Sequence, residues 1–158
     1  MKAREITAAG KEALKSGKYD VVRVNYANPD MVGHTGDLKA TITACEECDA
    51  CVKELLDLVD ELGGMYLVTA DHGNADDMVQ RNKKNEPIMG EDGVTPLTLT
   101  SHTLAPVPVA IGGPALPPNI KFRDDLPKAG LANVTATYIN LMGYEAPAEM
   151  EPSLICAK

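Results

Sequence analysis

"YDVVRVNYAN" (19–28) runs directly into "PDMVGHTG" (29–36), and the reading of this join decides the fold. Val21, Val22 and Val24 make a β-branched run suited to a buried strand, and Asn28-Pro29 closes it. Apolar residues then recur every three or four positions from Leu38 to Leu62, which predicts a helix over roughly 37–62 stopped by Gly63-Gly64. "MYLVTADHG" (65–73) supplies a second strand with a polar end. Strand, helix and strand in that order predict a right-handed βαβ unit with parallel strands, and hence an α/β fold with a mainly parallel sheet.

Outward from this unit, residues 3–16 read as a short helix closed by Gly17. Residues 74–100 are polar and predict a long excursion with a hairpin around "EDGV" (91–94). "APVPVAIGG" (105–113) reads as a third strand, its prolines suiting an edge or a strand start. A last helix is expected around 133–143, with Asn133 as N-cap and Gly143 as stop. The tail, 146–158, reads as irregular. No repeat or shift in composition marks a second domain, so 1–158 reads as one unit.

The 158 residues carry a formal charge of −8, which argues against a nucleic-acid or anionic-membrane surface. No apolar run approaches the roughly 20 residues needed to span a bilayer. The first 19 residues lack the apolar stretch of a signal peptide, so a cytoplasmic protein is expected. "CEECDAC" (45–51) raises the possibility of an iron–sulfur or zinc site. Cys45 and Cys48, however, share a stripe with Leu38, Ile42, Val52, Leu55, Val59 and Leu62, and Cys51 lies at its border. There they read as small apolar residues, reduced as in a cytosolic protein.

The chain's three histidines all fall at element boundaries. The first strand leads into Asp30 and His34, the second into Asp71-His72, and His102 stands in "LTSHT" just before the third. In parallel α/β folds, sites form beyond the carboxyl ends of strands. Imidazole nitrogen and carboxylate oxygen are what divalent ions such as Zn²⁺ and Mn²⁺ accept. Asp30 and His34, four apart, can converge on one ion. Asp71 and His72 can do so if the chain turns at Gly73. Each fragment alone is commonplace, and their joint occurrence carries the signal.

"NPDMVGHTGD", "VTADHGNADDM", "LTSHTLAPVPVAIGGP" and "GLANVTATYINLMGYEAP" resemble the cofactor-independent phosphoglycerate mutases, within the alkaline phosphatase superfamily. The likeness extends over nearly the whole chain and implies part of an alkaline-phosphatase-like three-layer fold. It implies two divalent ions, Mn²⁺ or Co²⁺ first and Mg²⁺ or Zn²⁺ as alternatives. One would be held by Asp30, His34 and His102, the other by Asp71 and His72 with an aspartate and a nucleophilic serine from elsewhere in a longer chain. Neither of those two has a counterpart here, so no catalytic nucleophile is assigned; Thr35 reads as structural. The family's inserted substrate-binding domain is missing as well.

The resemblance therefore implies a C-terminal fragment of a metal-dependent enzyme, in whose longer parent Met1 would be an internal residue. The parent would interconvert 2- and 3-phosphoglycerate through a phosphoserine, as a monomer, and the fragment alone would be inactive. A phosphatase or phosphopentomutase of the same superfamily, or a non-catalytic split-domain chain, are the alternatives.

Overall fold

The computed structural model describes residues 1–158, and its backbone forms helices and short strands. In chain order these are α1 (Ala3–Lys15), α2 (Asn28–Gly33), α3 (Leu38–Glu61), β1 (Tyr66–Thr69), β2 (Val109–Gly112), β3 (Ile120–Phe122), α4 (Val134–Leu141) and β4 (Ile155–Ala157). None of the helices is long and apolar enough to cross a membrane.

The long helix forms where its periodicity predicts. Asp37 caps it, its carboxylate accepting from the Ala40 amide at 2.9 Å, a contact worth about 1 kcal/mol. Its buried face differs from the expected stripe. Thr41, Ala44, Cys51 and Leu58 face inward, whereas Leu38, Ile42 and Leu62 are half exposed or more. The reason is the partner. α1 lies along α3, with Arg4 reaching Glu47 and Glu54, and Lys11 reaching Glu54 at 3.0 Å. Cys51, expected at the border of the stripe, is fully enclosed. Burial also pushes the Cys45 and Cys48 thiols up, away from the reactive thiolate.

Residues 21–26 belong to no ladder, and their backbone groups bond to no other backbone group. One face packs: a Cβ on Gly10 would sit 3.4 Å from Val24 and 3.3 Å from Leu55, and the Tyr26 hydroxyl meets Thr7 Oγ1 at 2.7 Å. The expected parallel βαβ unit is therefore not formed. β1 pairs with β2, antiparallel, from Tyr66 opposite Gly112 to Thr69 opposite Val109. The α/β class holds, but both ladders are antiparallel. β-branched patterning favours an extended backbone without naming its neighbour.

The polar excursion folds back on itself. Antiparallel bridges join Val79 to Thr98, Arg81 to Pro87 and Met89 to Pro96. Its tip is the expected turn, where the Asp92 carboxylate accepts from the Thr95 hydroxyl and from the Thr95 and Val94 amides. Those donors hold Asp92 down to about 2. The tail corrects the reading of 146–158 as irregular. Asn133 does not cap α4 with its side chain; it accepts from the Gly130 amide at 2.8 Å and donates to the Pro152 carbonyl at 2.7 Å. Buried Thr137 donates to the Asn133 carbonyl and accepts from the Leu154 amide, each at 2.7 Å. So anchored, 155–157 pair antiparallel with β3.

Candidate metal centre

Within the stretch quoted first, Asn28–Gly33 form the short helix α2. Pro29, at the start of α2, has no amide to leave unpaired. One turn later, His34 stands on the same side as Asp30, with His34 Nε2 at 3.1 Å from Asp30 Oδ1. Gly36 then turns the chain at φ 76°, a conformation other residues adopt at a cost. The turn packs under Thr98 and Thr100.

His102 arrives through the antiparallel register. Beyond the ends of β1 and β2 the pairing resumes at Gly73 opposite Thr103, with the Thr103 amide donating to the Gly73 carbonyl at 2.8 Å. The segment leading into β2 thus lies beside the segment leaving β1. His102 Nε2 comes to 3.1 Å from Asp30 Oδ1 and 3.2 Å from His34 Nε2. Ligands about 2.1 Å from one ion stand about 3.0 Å apart in octahedral and 3.4 Å apart in tetrahedral geometry. A triangle with sides of 3.1, 3.1 and 3.2 Å matches that spacing.

The hydrogen bonding supports the same fit. His34 Nδ1 faces the Thr100 carbonyl, which can only accept, so the ring proton sits on Nδ1. With its proton on Nδ1, the Nε2 of His34 is the atom turned toward Asp30 Oδ1 and free to ligate an ion. The three residues are partly exposed, leaving the point between them open to an ion from solution.

Asp71 and His72 are arranged differently. The His72 ring stacks on His102, with centroids 3.6 Å apart and planes 17° from parallel. Its Nε2 lies 3.8 Å from Asp30 Oδ1 and 3.6 Å from Asp71 Oδ1, while the Asp71 side chain is 81% exposed. The structure therefore brings four of the five expected residues into one cluster and leaves Asp71 at its rim. Sequence reading missed two supports, the Thr100 carbonyl and Asn74. Buried Asn74 donates from Nδ2 to Asp30 Oδ1 at 3.1 Å. "DHGN" placed a polar residue two positions after His72, but nothing in the spacing pointed to Asp30.

Residues 1–146 match the Metalloenzyme superfamily, and the chain belongs to it. The fold is the alkaline-phosphatase-like α/β fold of such enzymes. Over 155 residues the chain is 62% identical to the 2,3-bisphosphoglycerate-independent phosphoglycerate mutase of Trypanosoma brucei brucei and 60% identical to that of Nicotiana tabacum. These alignments take in 98% of this chain and 28% of either relative. A phosphoglycerate mutase of Leishmania mexicana, crystallised at low cobalt concentration, superposes over the whole chain with a TM-score of 0.96 and 60% identity. This chain covers 29% of that structure.

Proposed function

We propose that the chain is the C-terminal, metal-holding part of a phosphoglycerate mutase, whose full polypeptide interconverts 2- and 3-phosphoglycerate. The supporting observation is the Asp30–His34–His102 triangle in a chain 62% identical to a named mutase. Asp30, His34 and His102 would hold one divalent ion, Mn²⁺ or Co²⁺. Asp71 and His72 would give two ligands to a second, completed by groups outside this chain.

Bound ions supply charge neutralisation to a transferring phosphoryl group, where positioning and electrostatics dominate. Asp30 contributes a negative oxygen, and His34 is held to one tautomer and orientation by Thr100. His102 is carried by the backbone pairing at Gly73 and Thr103. None of these side chains acts as nucleophile, so the chain alone turns nothing over. The working polypeptide is read as a cytoplasmic monomer, acting on a small phosphorylated acid rather than on nucleic acid.

The test is a chimera in which this chain replaces the matching 28% of the Trypanosoma brucei brucei enzyme. With Co²⁺ the chimera is expected to convert 3-phosphoglycerate to 2-phosphoglycerate. The same chimera with His34→Ala and His102→Ala is expected to lose that activity. A folded, Co²⁺-loaded chimera without turnover would overturn the assignment.

A further inference from the structure

Asp30 is shared by both sides of the cluster, yet α2 alone does not hold its carboxylate in place. The residue that does comes from the loop after β1. Asn74 is only 7% exposed, so its bond to Asp30 Oδ1 is not contested by bulk water. That same oxygen is the one facing His34 and His102. The amide reaches it by lying across Gly33: a Cβ there would sit 1.9 Å from Asn74 Oδ1. Such an approach is impossible for any other residue type at 33. The loop is itself fastened on its far side, where Thr103 Oγ1 donates to Asp76 at 2.8 Å next to His102.

We propose that Asn74 is a positioning residue for the metal centre: its amide, admitted by Gly33, orients the Asp30 carboxylate toward the two imidazoles. This rests on the ligand set proposed above. The loop 73–76 thereby clasps α2 on one side and the His102 segment on the other, preforming the triangle before an ion arrives. Groups that orient metal ligands typically change affinity by about 10–100-fold when removed.

The experiment is Co²⁺ titration of the 158-residue chain and its variants, followed by calorimetry and the visible absorption of bound Co²⁺. Asn74→Ala is expected to weaken binding by about 10–100-fold and to alter the absorption band, with unchanged helix content in the metal-free chain. Gly33→Ala is expected to do the same by displacing the amide. The double variant is expected to bind no worse than either single one, because both changes remove one contact. An Asn74→Ala chain that binds and absorbs like the parent overturns the proposal, and so do losses that multiply in the double variant. Should Gly33→Ala fail to fold, the affinity and band of Asn74→Ala decide alone. A His34→Ala, His102→Ala control separates the two claims. If the control loses the ion while Asn74→Ala keeps it, only the positioning role fails. If the control binds like the parent, or the parent takes up no Co²⁺, the ligand set fails and the positioning role with it.

Discussion

The Asp30–His34–His102 triangle and the Asp71–His72 pair use the same kinds of side chain on the same edge of the molecule, yet they reach different states of assembly. The triangle draws on α2 and on the segment before β2, and the loop after β1 is bonded to both. Its three ligand-type atoms stand 3.1–3.2 Å apart. The pair comes from one short stretch, and Asp71 points to solvent with no second element behind it. Residue type does not separate the two. What separates them is how many independent elements converge, since each ligand needs backbone or side-chain support of its own.

The comparison breaks most directly on ion uptake. His34→Ala with His102→Ala should lower Mn²⁺ or Co²⁺ affinity by more than about 100-fold, beyond the usual cost of losing a supporting group. Asp71→Ala should change it by less than about fivefold, the range of an exposed charge. Equal effects in calorimetry would dissolve the distinction between the two sets. Next in size is a change in the core away from both. Leu58→Ala, inside the α3 face, should cost about 2–4 kcal/mol in urea unfolding. The folded fraction should keep its Co²⁺ affinity, and a parallel loss would mean that the triangle depends on the helical core.

A smaller effect is expected at the tail. Thr137→Val removes the acceptor for the Leu154 amide and should cost about 1–2 kcal/mol. Faster exchange of the β4 amides, with the triangle's affinity unchanged, would show the two ends to be independent. The smallest effect concerns Asp92. Its carboxyl is lowered from 3.8 to about 2, so the folded state favours the ionised form. That contribution is present above the unfolded value near 3.8 and is lost as pH falls through about 2. Asp92→Asn should slightly flatten the acid limb of thermal stability between about pH 4 and 2. An unchanged limb would remove any role for that turn in acid stability.

Much of the fold was legible where local chemistry decides. The period of α3 and the turn at 91–94 follow from nearest neighbours in the chain. Strand partnership does not, because Val22 and Val24 suit any sheet. The parallel pairing expected is not among the ladders of this chain, and the antiparallel one found accounts for the cluster. Had β2 run parallel to β1, its start would lie at the far edge from Asp71 and His72. Running antiparallel, it delivers His102 to the edge where β1 ends. Asn74 stayed invisible because its contact with Asp30 joins residues 44 positions apart. The empty side of Gly33 that admits it has no signature in a lone glycine.

The unpaired backbone of residues 21–26 has a consequence in time rather than in space. Its amides bond to no other backbone group, so no local opening has to precede their exchange with solvent deuterium. The amides of α3, held in a 24-residue helix, wait for fraying or unfolding. One chain therefore carries a fast clock and a slow one side by side. Any strand that came to lie against 21–26 would be seen first as the fast clock slowing down.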